Sequence, residues 1–403
     1  MDWAKIFSER VAATNDGDVV KILKLSEQPE IISLAGGLPD PSVFMMEEFK
    51  KLSADVIEKQ GRKALGYGAI AGISAFRDAL AVETTKMGRP TKSDEIIVTT
   101  GGLAAIDLIT KVLVDPGDVV IVGEPTFTAA LHVFRSYDAE LVGVPLDDKG
   151  MDPALLAEKL HALKIANKKV KLIYAIPSFQ NPAGVTIPED RRRNIAATAR
   201  KYNVPILEDA AYRNIRFEGT APPMLASLDP ENVMLVNTLS KTLNPGMRLG
   251  WVAAPKELTD VLVLAKQGQD QCSSTISQFM ATKMLNDGVM DKQTERAIKV
   301  YHKKRDVMLG ALEKYMPDGV SWTKPEGGFF IWLTLPNRID ATAALDDVVR
   351  KEGVAYVPGS AFHHAREAKN QLRLCYSYVS AQKIEEAIEK LACYFDRAIK
   401  SNH

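Results

Sequence analysis

The sequence predicts an α/β protein: a mainly parallel sheet covered by helices on both faces, followed by a smaller α+β unit. Three observations carry that prediction. Between Ile96 and Ala254, short β-branched runs alternate with helical periodicity, the pattern of strands joined by crossover helices. Several runs, such as Val119-Val120-Ile121-Val122, are apolar throughout, as strands buried on both faces must be. After about residue 290 the alternation stops, and a long charged helix gives way to short strands and helices.

Taken in order, residues 2–25 read as two helices broken at Asn15-Asp16-Gly17. Ile31 to Pro41 is a short strand entering a loop punctuated by Gly36-Gly37 and Pro39. Phe49, Leu52, Val56 and Ile57 space a helix over 46–60. Gly66, Gly68 and Ala71 match a dinucleotide fingerprint in letters only, because helix-like sequence precedes them instead of a strand. That loop presents Tyr67 between glycines, and a helix follows over 74–87. Strands are then expected at 96–100, 119–122, 142–144, 170–176, 204–207, 233–237 and 249–254. Helices are expected at 103–113, 126–136, 153–166 and 188–202. The last part reads as helix 291–315, strand 328–333, helix 341–352, strand 371–376 and helix 381–400.

Bulk properties narrow the function. Of 403 residues, 46% are hydrophobic, enough for a large core. Lys plus Arg and Asp plus Glu both number 51, so no basic excess points to nucleic acid or an anionic membrane. No run approaches the roughly 18 apolar residues that a membrane helix needs, and no apolar signal core follows Met1. Cys272, Cys375 and Cys393 are too scattered for a disulfide framework or a metal site. A reducing cytoplasm is the expected location.

The polar residues that stand out cluster at strand ends, where ligands bind in open α/β sheets. Asn237 to Trp251 packs Thr238, Ser240 and Lys241 behind an apolar strand, with Arg248 seven residues after the lysine. An amine flanked by hydroxyls and a guanidinium suits a phosphorylated aldehyde such as pyridoxal phosphate (PLP); solvated charges at a turn would look the same. Gly101, Gly102 and Leu103 form either an anion-binding helix start or an ordinary turn. Asp209 closes an apolar strand and wants a cation, such as a protonated ring nitrogen, or else caps the next segment. Asn181 sits in an Asn-Pro turn and could bond a phenolate oxygen. Phe127 could stack on a planar ring or pack in the core. Arg373, alone on an apolar strand, wants a carboxylate from a substrate or from the protein.

Taken jointly, these residues resemble the class I/II aminotransferases of PLP fold type I. Within them the chain is similar to the aminoadipate, kynurenine and broad-specificity aromatic branch. The texts that carry the resemblance are Ile32 to Pro39, Asn181-Pro182-Ala183-Gly184, Asp209-Ala210-Ala211-Tyr212, Ser240-Lys241 with Arg248, and Arg373. It implies a large domain over 46–290 with a mostly parallel seven-stranded sheet, and a small domain from 1–45 and 291–403. It implies that Lys241 holds PLP as a Schiff base and then moves the substrate proton. Asp209 would pair with the ring nitrogen, Asn181 and Tyr212 would bond the ring oxygen, and Phe127 would stack on the ring. Gly102, Leu103, Thr238, Ser240 and Arg248 would hold the phosphate, with Tyr67 reaching it from the second subunit of a homodimer. Arg373, with Asn181, would bind the substrate carboxylate, and Gly37 and Phe330 would border its side chain.

Two departures from the family pattern bear on these expectations. The phosphate turn lacks the Ser-Gln that often follows its first glycine, so Gly102-Leu103 offers backbone donors only. Where aminoadipate-preferring relatives place an arginine, this chain has Val20 with Lys21 beside it, which favours aromatic or other neutral amino acids. The expected reaction moves an amino group from such an L-amino acid to a 2-oxo acid such as 2-oxoglutarate. Aminoadipate preference, or lyase or decarboxylase chemistry on the same residues, are the competing readings. A PLP-binding transcription regulator is set aside because little chain precedes Ala35 and the charge is balanced.

Overall fold

A computed structural model describes residues 1–8, 10, 28 and 30–401. The paired-helix expectation over 2–25 and the Val20 argument lie outside the described residues, apart from a single 3-10 turn at Trp3–Lys5. The chain opens with β1 (Ile32–Ser33), α1 (Met46–Ala64), α2 (Ser74–Lys86) and β2 (Ile96–Thr99). It continues through α3 (Gly102–Leu113), β3 (Val119–Glu124), α4 (Thr128–Ser136), β4 (Glu140–Asp147) and β5 (Gly150–Met151). Then come α5 (Pro153–Ile165), β6 (Val170–Ala175), α6 (Glu189–Tyr202), β7 (Ile206–Asp209), α7 (Leu225–Leu228), β8 (Val233–Thr238) and β9 (Gly250–Ala253). Helices α8 (Lys256–Gln267), α9 (Thr275–Asn286) and α10 (Val289–Tyr315) lead out of this region. The remainder is β10 (Ser321–Trp322), β11 (Phe330–Thr334), α11 (Ala341–Glu352), β12 (Val354–Ala355), β13 (Val357–Pro358), β14 (Gln371–Cys375) and α12 (Ala381–Ser401).

The large sheet runs in the order β2-β9-β8-β7-β6-β3-β4-β5. Strands β8, β7, β6, β3 and β4 are parallel neighbours. Alternation sorts their side chains onto two faces. Ile96, Val98, Ile121 and Ile173 join one core, and Ile97, Val120, Leu172 and Leu207 join the other. Val119 to Val122 are all at most 1% exposed, so each side chain contributes about 1.5–3 kcal/mol of burial. That accounts for the uninterrupted apolar text of these strands.

One feature differs from the expectation. The sheet has eight strands instead of seven. The extra one, β5, pairs antiparallel with the end of β4 through a turn in which Asp147 Oδ1 accepts from Lys149 N. Two residues are too few to register as a periodic run. Strand β9 is antiparallel to both neighbours, β8 and β2. Only residues 239–249 join β8 to β9, and parallel strands need a crossover of a dozen residues or more. The segment carrying Lys241 is therefore a return loop and not a crossover.

The second sheet, β10-β11-β14-β13, is antiparallel, and β1 pairs in parallel with β12 beside it. Helix α12 buries Ile384, Ala387, Ile388, Leu391 and Phe395, one stripe at helical spacing, against this unit. Segment 32–38 is stitched to it: Leu34 N donates to Ala355 O and Cys375 N donates to Leu34 O, each at 2.8 Å. These bonds bring the Gly36-Gly37 loop over the C-terminal ends of the large sheet's parallel strands.

Candidate active site

Lys241 follows β8 in the return loop, and its Nζ donates to Gly37 O at 2.9 Å. Burial brings its amine down to about 8. The guanidinium groups of Arg373 and Arg248 push the same way, and Cys375 and Asp209 oppose them. The amine also lies 5.8 Å from the Tyr212 ring centroid. Buried Tyr212 stands edge-on to Phe329 and Phe330 at 5.4 and 5.5 Å. A Cβ on Gly37 would come within 3.0 Å of Phe330 Cζ and 4.0 Å of the Tyr212 hydroxyl, so Gly37, Phe330 and Tyr212 line one opening beside the amine.

One strand away, Asp209 ends β7. Its Oδ1 accepts from Ala211 N at 3.1 Å and its Oδ2 from the Tyr174 hydroxyl at 2.9 Å. Burial raises its pKa above the ordinary carboxylate value, and the Tyr174 and Ala211 donors and the Lys241 charge work against that rise. Asp209 is thus held by donors, so the helix-cap alternative is partly realised in the Ala211 contact.

Arg373 is buried on β14 between the rings of Phe330 and Phe362, at 4.3 and 4.9 Å from their centroids. Its Nη1 donates to Asn181 Oδ1 at 2.9 Å and its Nη2 to Ala35 O. Its Nε is buried with no partner among the described residues. No carboxylate of the protein pairs with it among them, contrary to the salt-bridge alternative. Asn181 spends its carbonyl on Arg373, which leaves its amide N–H groups for another acceptor. The loop bearing Asn181 is anchored by buried Arg192, which donates to Pro177 O at one end and Ile187 O at the other.

The phosphate-type donors gather at the ends of β2 and β8. Gly101 has φ +93, and a Cβ there would stand 2.8 Å from Arg248 Nη2. Only glycine allows both the turn and the close approach of the guanidinium. Gly102 and Leu103 open α3, whose first N–H groups have no partner within the helix. Thr238 Oγ1 donates to Leu249 O at 3.0 Å and accepts from Ser240 N at 3.1 Å, with the Ser240 hydroxyl 2.9 Å away. Thr238 therefore braces the turn that presents Ser240. Phe127, half-buried after β3, packs beside the core that contains Tyr174 and Leu207. Tyr67 stands 89% exposed.

A family model for aminotransferase class I and II matches residues 30–391. The chain belongs to the class I and II aminotransferases. Aromatic-amino-acid aminotransferase 1 of Thermococcus litoralis is 44% identical over 394 residues, spanning 97% of this chain and 94% of that one. Among solved structures, the multiple substrate aminotransferase of Thermococcus profundus superposes with a TM-score of 0.95 at 41% identity, covering all of both chains. The kynurenine aminotransferase of Pyrococcus horikoshii, solved with PMP, KYN and KYA, gives 0.95 at 41% identity over 98% of each chain. This aminotransferase therefore uses PLP and transfers amino groups. Its site fits that cofactor: a glycine cradle under Arg248 for the phosphate, and an amine near 8 for the aldehyde. The buried carboxylate of Asp209 suits the ring nitrogen, and the unmet Arg373 Nε suits an amino-acid carboxylate.

Sequence reasoning missed three groups in the aminotransferase site. Tyr174 carried a signal, a hydroxyl inside an otherwise apolar strand. Phe362 and the Ala35 carbonyl carried none, since their meeting with Arg373 depends on how β13 and β1 fold back.

Proposed function

We propose a ping-pong aminotransferase that takes the amino group from an L-amino acid with an aromatic or other neutral side chain and passes it to 2-oxoglutarate. The observation that supports this is the juxtaposition of Lys241 and Arg373. One is a half-buried amine with a lowered pKa, and the other a buried guanidinium with an unmet N–H, both against the Gly37 loop. When bound, PLP supplies an aldehyde for amine attachment and a ring that draws electron density from the substrate Cα.

The residues of the chain do the rest. Lys241 would hold the cofactor, give way to the substrate amine, take the Cα proton on Nζ and return it to the neighbouring carbon. Arg373 and Asn181 would bind the substrate carboxylate, fixing the Cα–H bond toward Lys241. Asn181 and Tyr212 would bond the ring oxygen, Asp209 the ring nitrogen, and Phe127 would stack on the ring. Gly102, Leu103, Ser240 and Arg248, with Thr238 behind them, would hold the phosphate. Gly37 and Phe330 would border the substrate side chain. In this reading residues 46–290 form the cofactor domain, and 1–45 with 291–403 the smaller one. The protein would act in the cytoplasm as a homodimer. Exposed Leu65 and Met46 would be covered by the second copy, carrying Tyr67 to the partner's phosphate site. No helix among the described residues is long and apolar enough to cross a membrane.

A panel of amino donors with 2-oxoglutarate tests the reading. Glutamate should form fastest with phenylalanine, tyrosine or kynurenine. A clear preference for aminoadipate overturns the neutral-donor assignment, and carbon dioxide or ammonia release without glutamate overturns transamination.

A further inference from the structure

Strand β6 places a hydroxyl where packing requires none. Tyr174 pairs in register with Leu207, so their side chains share a face, and Asp209, two residues beyond Leu207, falls on that same face within diagonal reach. The Tyr174 ring packs edge-on to Phe134 at 5.5 Å and is fully buried. Phenylalanine would fill that space equally well. The phenol makes one hydrogen bond among the described residues, 2.9 Å to Asp209 Oδ2. Burial and the neighbouring carboxylate keep it protonated far above its ordinary range, so it stays a donor at every working pH. With Ala211 N on the other oxygen, the carboxylate is held at both ends while lone pairs remain for a third group.

We propose that Tyr174 is a positioning residue for transamination: its phenol fixes the Asp209 carboxylate so that it can pair with the protonated ring nitrogen of the cofactor. The inference rests on the reading that Asp209 meets that nitrogen. The desolvation that drives Asp209 toward neutrality is opposed first by this phenol. Without the phenol, Asp209 would hold a proton more readily and the ring nitrogen would lose its counter-charge. The ring would then take up electron density less well while the substrate contacts at Arg373 and Phe330 stayed as they are.

The test compares wild type, Y174F and D209N, each reconstituted with PLP or with its 1-deaza analogue, in which carbon replaces the ring nitrogen. With PLP, Y174F should bind the cofactor roughly tenfold more weakly and lose roughly tenfold in kcat, with KM for the amino acid little changed. With the analogue, Y174F and wild type should bind equally. Nitrogen-15 NMR of ring-labelled PLP should show the ring nitrogen of Y174F releasing its proton at lower pH than in wild type. Equal losses with both cofactors would make Tyr174 merely structural. Wild-type binding and an unchanged nitrogen signal in Y174F would remove the role altogether. D209N separates the two levels: if its loss relative to wild type is the same with the analogue as with PLP, the Asp209 assignment itself fails. If the D209N loss is confined to PLP and the Y174F loss is not, only the Tyr174 inference fails. Should Y174F unfold, wild-type protein carrying 3-fluorotyrosine, a more acidic phenol, should shift the nitrogen signal toward the protonated form; no shift rejects the proposal.

Discussion

In the proposed reaction Lys241 is the residue on which the chemistry would turn, and burial has already lowered its amine toward the working pH. An ordinary lysine is neutral in about one molecule in three thousand at pH 7, and one near 8 in about one in ten. The nucleophile is the neutral form. Capture of PLP by the apoprotein should therefore accelerate up to about pH 8 and then level off. Stopped-flow absorbance would show this; a rate still climbing tenfold per pH unit from 8 to 10 would mean the amine is unperturbed. Lys241→Ala should bind PLP without a covalent adduct after borohydride reduction and should transaminate at least about a thousandfold more slowly. At this scale the sequence was informative because Lys241, Asp209, Asn181 and Arg373 each interrupt or end an apolar run, where a polar group must find a partner. Their mutual pairings were not legible. That Asn181 serves Arg373, or that Gly37 O receives the lysine, follows from contacts between residues 192 and 204 positions apart.

Among the elements, the turn from β2 into α3 has the tightest requirements. Gly101 combines a left-handed φ with the approach of Arg248, which itself sits at φ +52. Gly101→Ala should strain the backbone by about 1–3 kcal/mol and push the guanidinium aside. PLP affinity, titrated by fluorescence quenching, should fall about 10–100-fold while the apoprotein still folds. Unchanged affinity would remove Arg248 from the phosphate site. Parallel strands and helices were readable here because each carries its own period. The direction of β9 was readable only from the length of the segment before it, and β5 was not readable at all, being a product of the Asp147–Gly150 turn.

On the scale of the molecule, the site lies where the two sheets meet, and one contact between them runs through a carboxylate. Glu124, at the end of β3, accepts from His364 N at 3.1 Å and lies 2.6 Å from His364 Nδ1 and 3.4 Å from His363 Nδ1. Gly143 on β4 leaves the room: a Cβ there would sit 2.3 Å from Glu124 Oε2. Thr126 N and Thr128 Oγ1 reinforce the contact by donating to Phe362 O and Ala361 O. Burial raises the Glu124 carboxyl, but the two histidines outweigh it and hold the group well below its ordinary 4.5. A lowered carboxyl stabilises the fold above its unfolded value, and that contribution fades as the pH falls through the folded one. Glu124→Gln should therefore lower stability by about 1 kcal/mol at pH 7, with the difference from wild type shrinking below about pH 4.5. Urea unfolding at several pH values measures this, and a pH-independent difference would mean the effect is packing alone. Nothing in the local sequence announces this contact, because its two halves belong to units that the text presents separately.

The clamp on Arg373 has a stereochemical consequence. The guanidinium is gripped by Ala35 O and Asn181 and sandwiched between Phe330 and Phe362, so it cannot migrate to the other side of the opening. The Lys241 amine is tethered to its own side by a loop rooted in β8 and β9. If, as proposed, Arg373 anchors the carboxylate, Gly37 and Phe330 wall the side chain and Lys241 takes the proton, the three would form a left- or right-handed frame, never both. The cofactor ring is flat and has no handedness of its own. The choice of one mirror image of the amino acid would then reside in the protein, in an arginine, a side-chain wall and a lysine fixed relative to one another, which no mirror-image substrate can satisfy together.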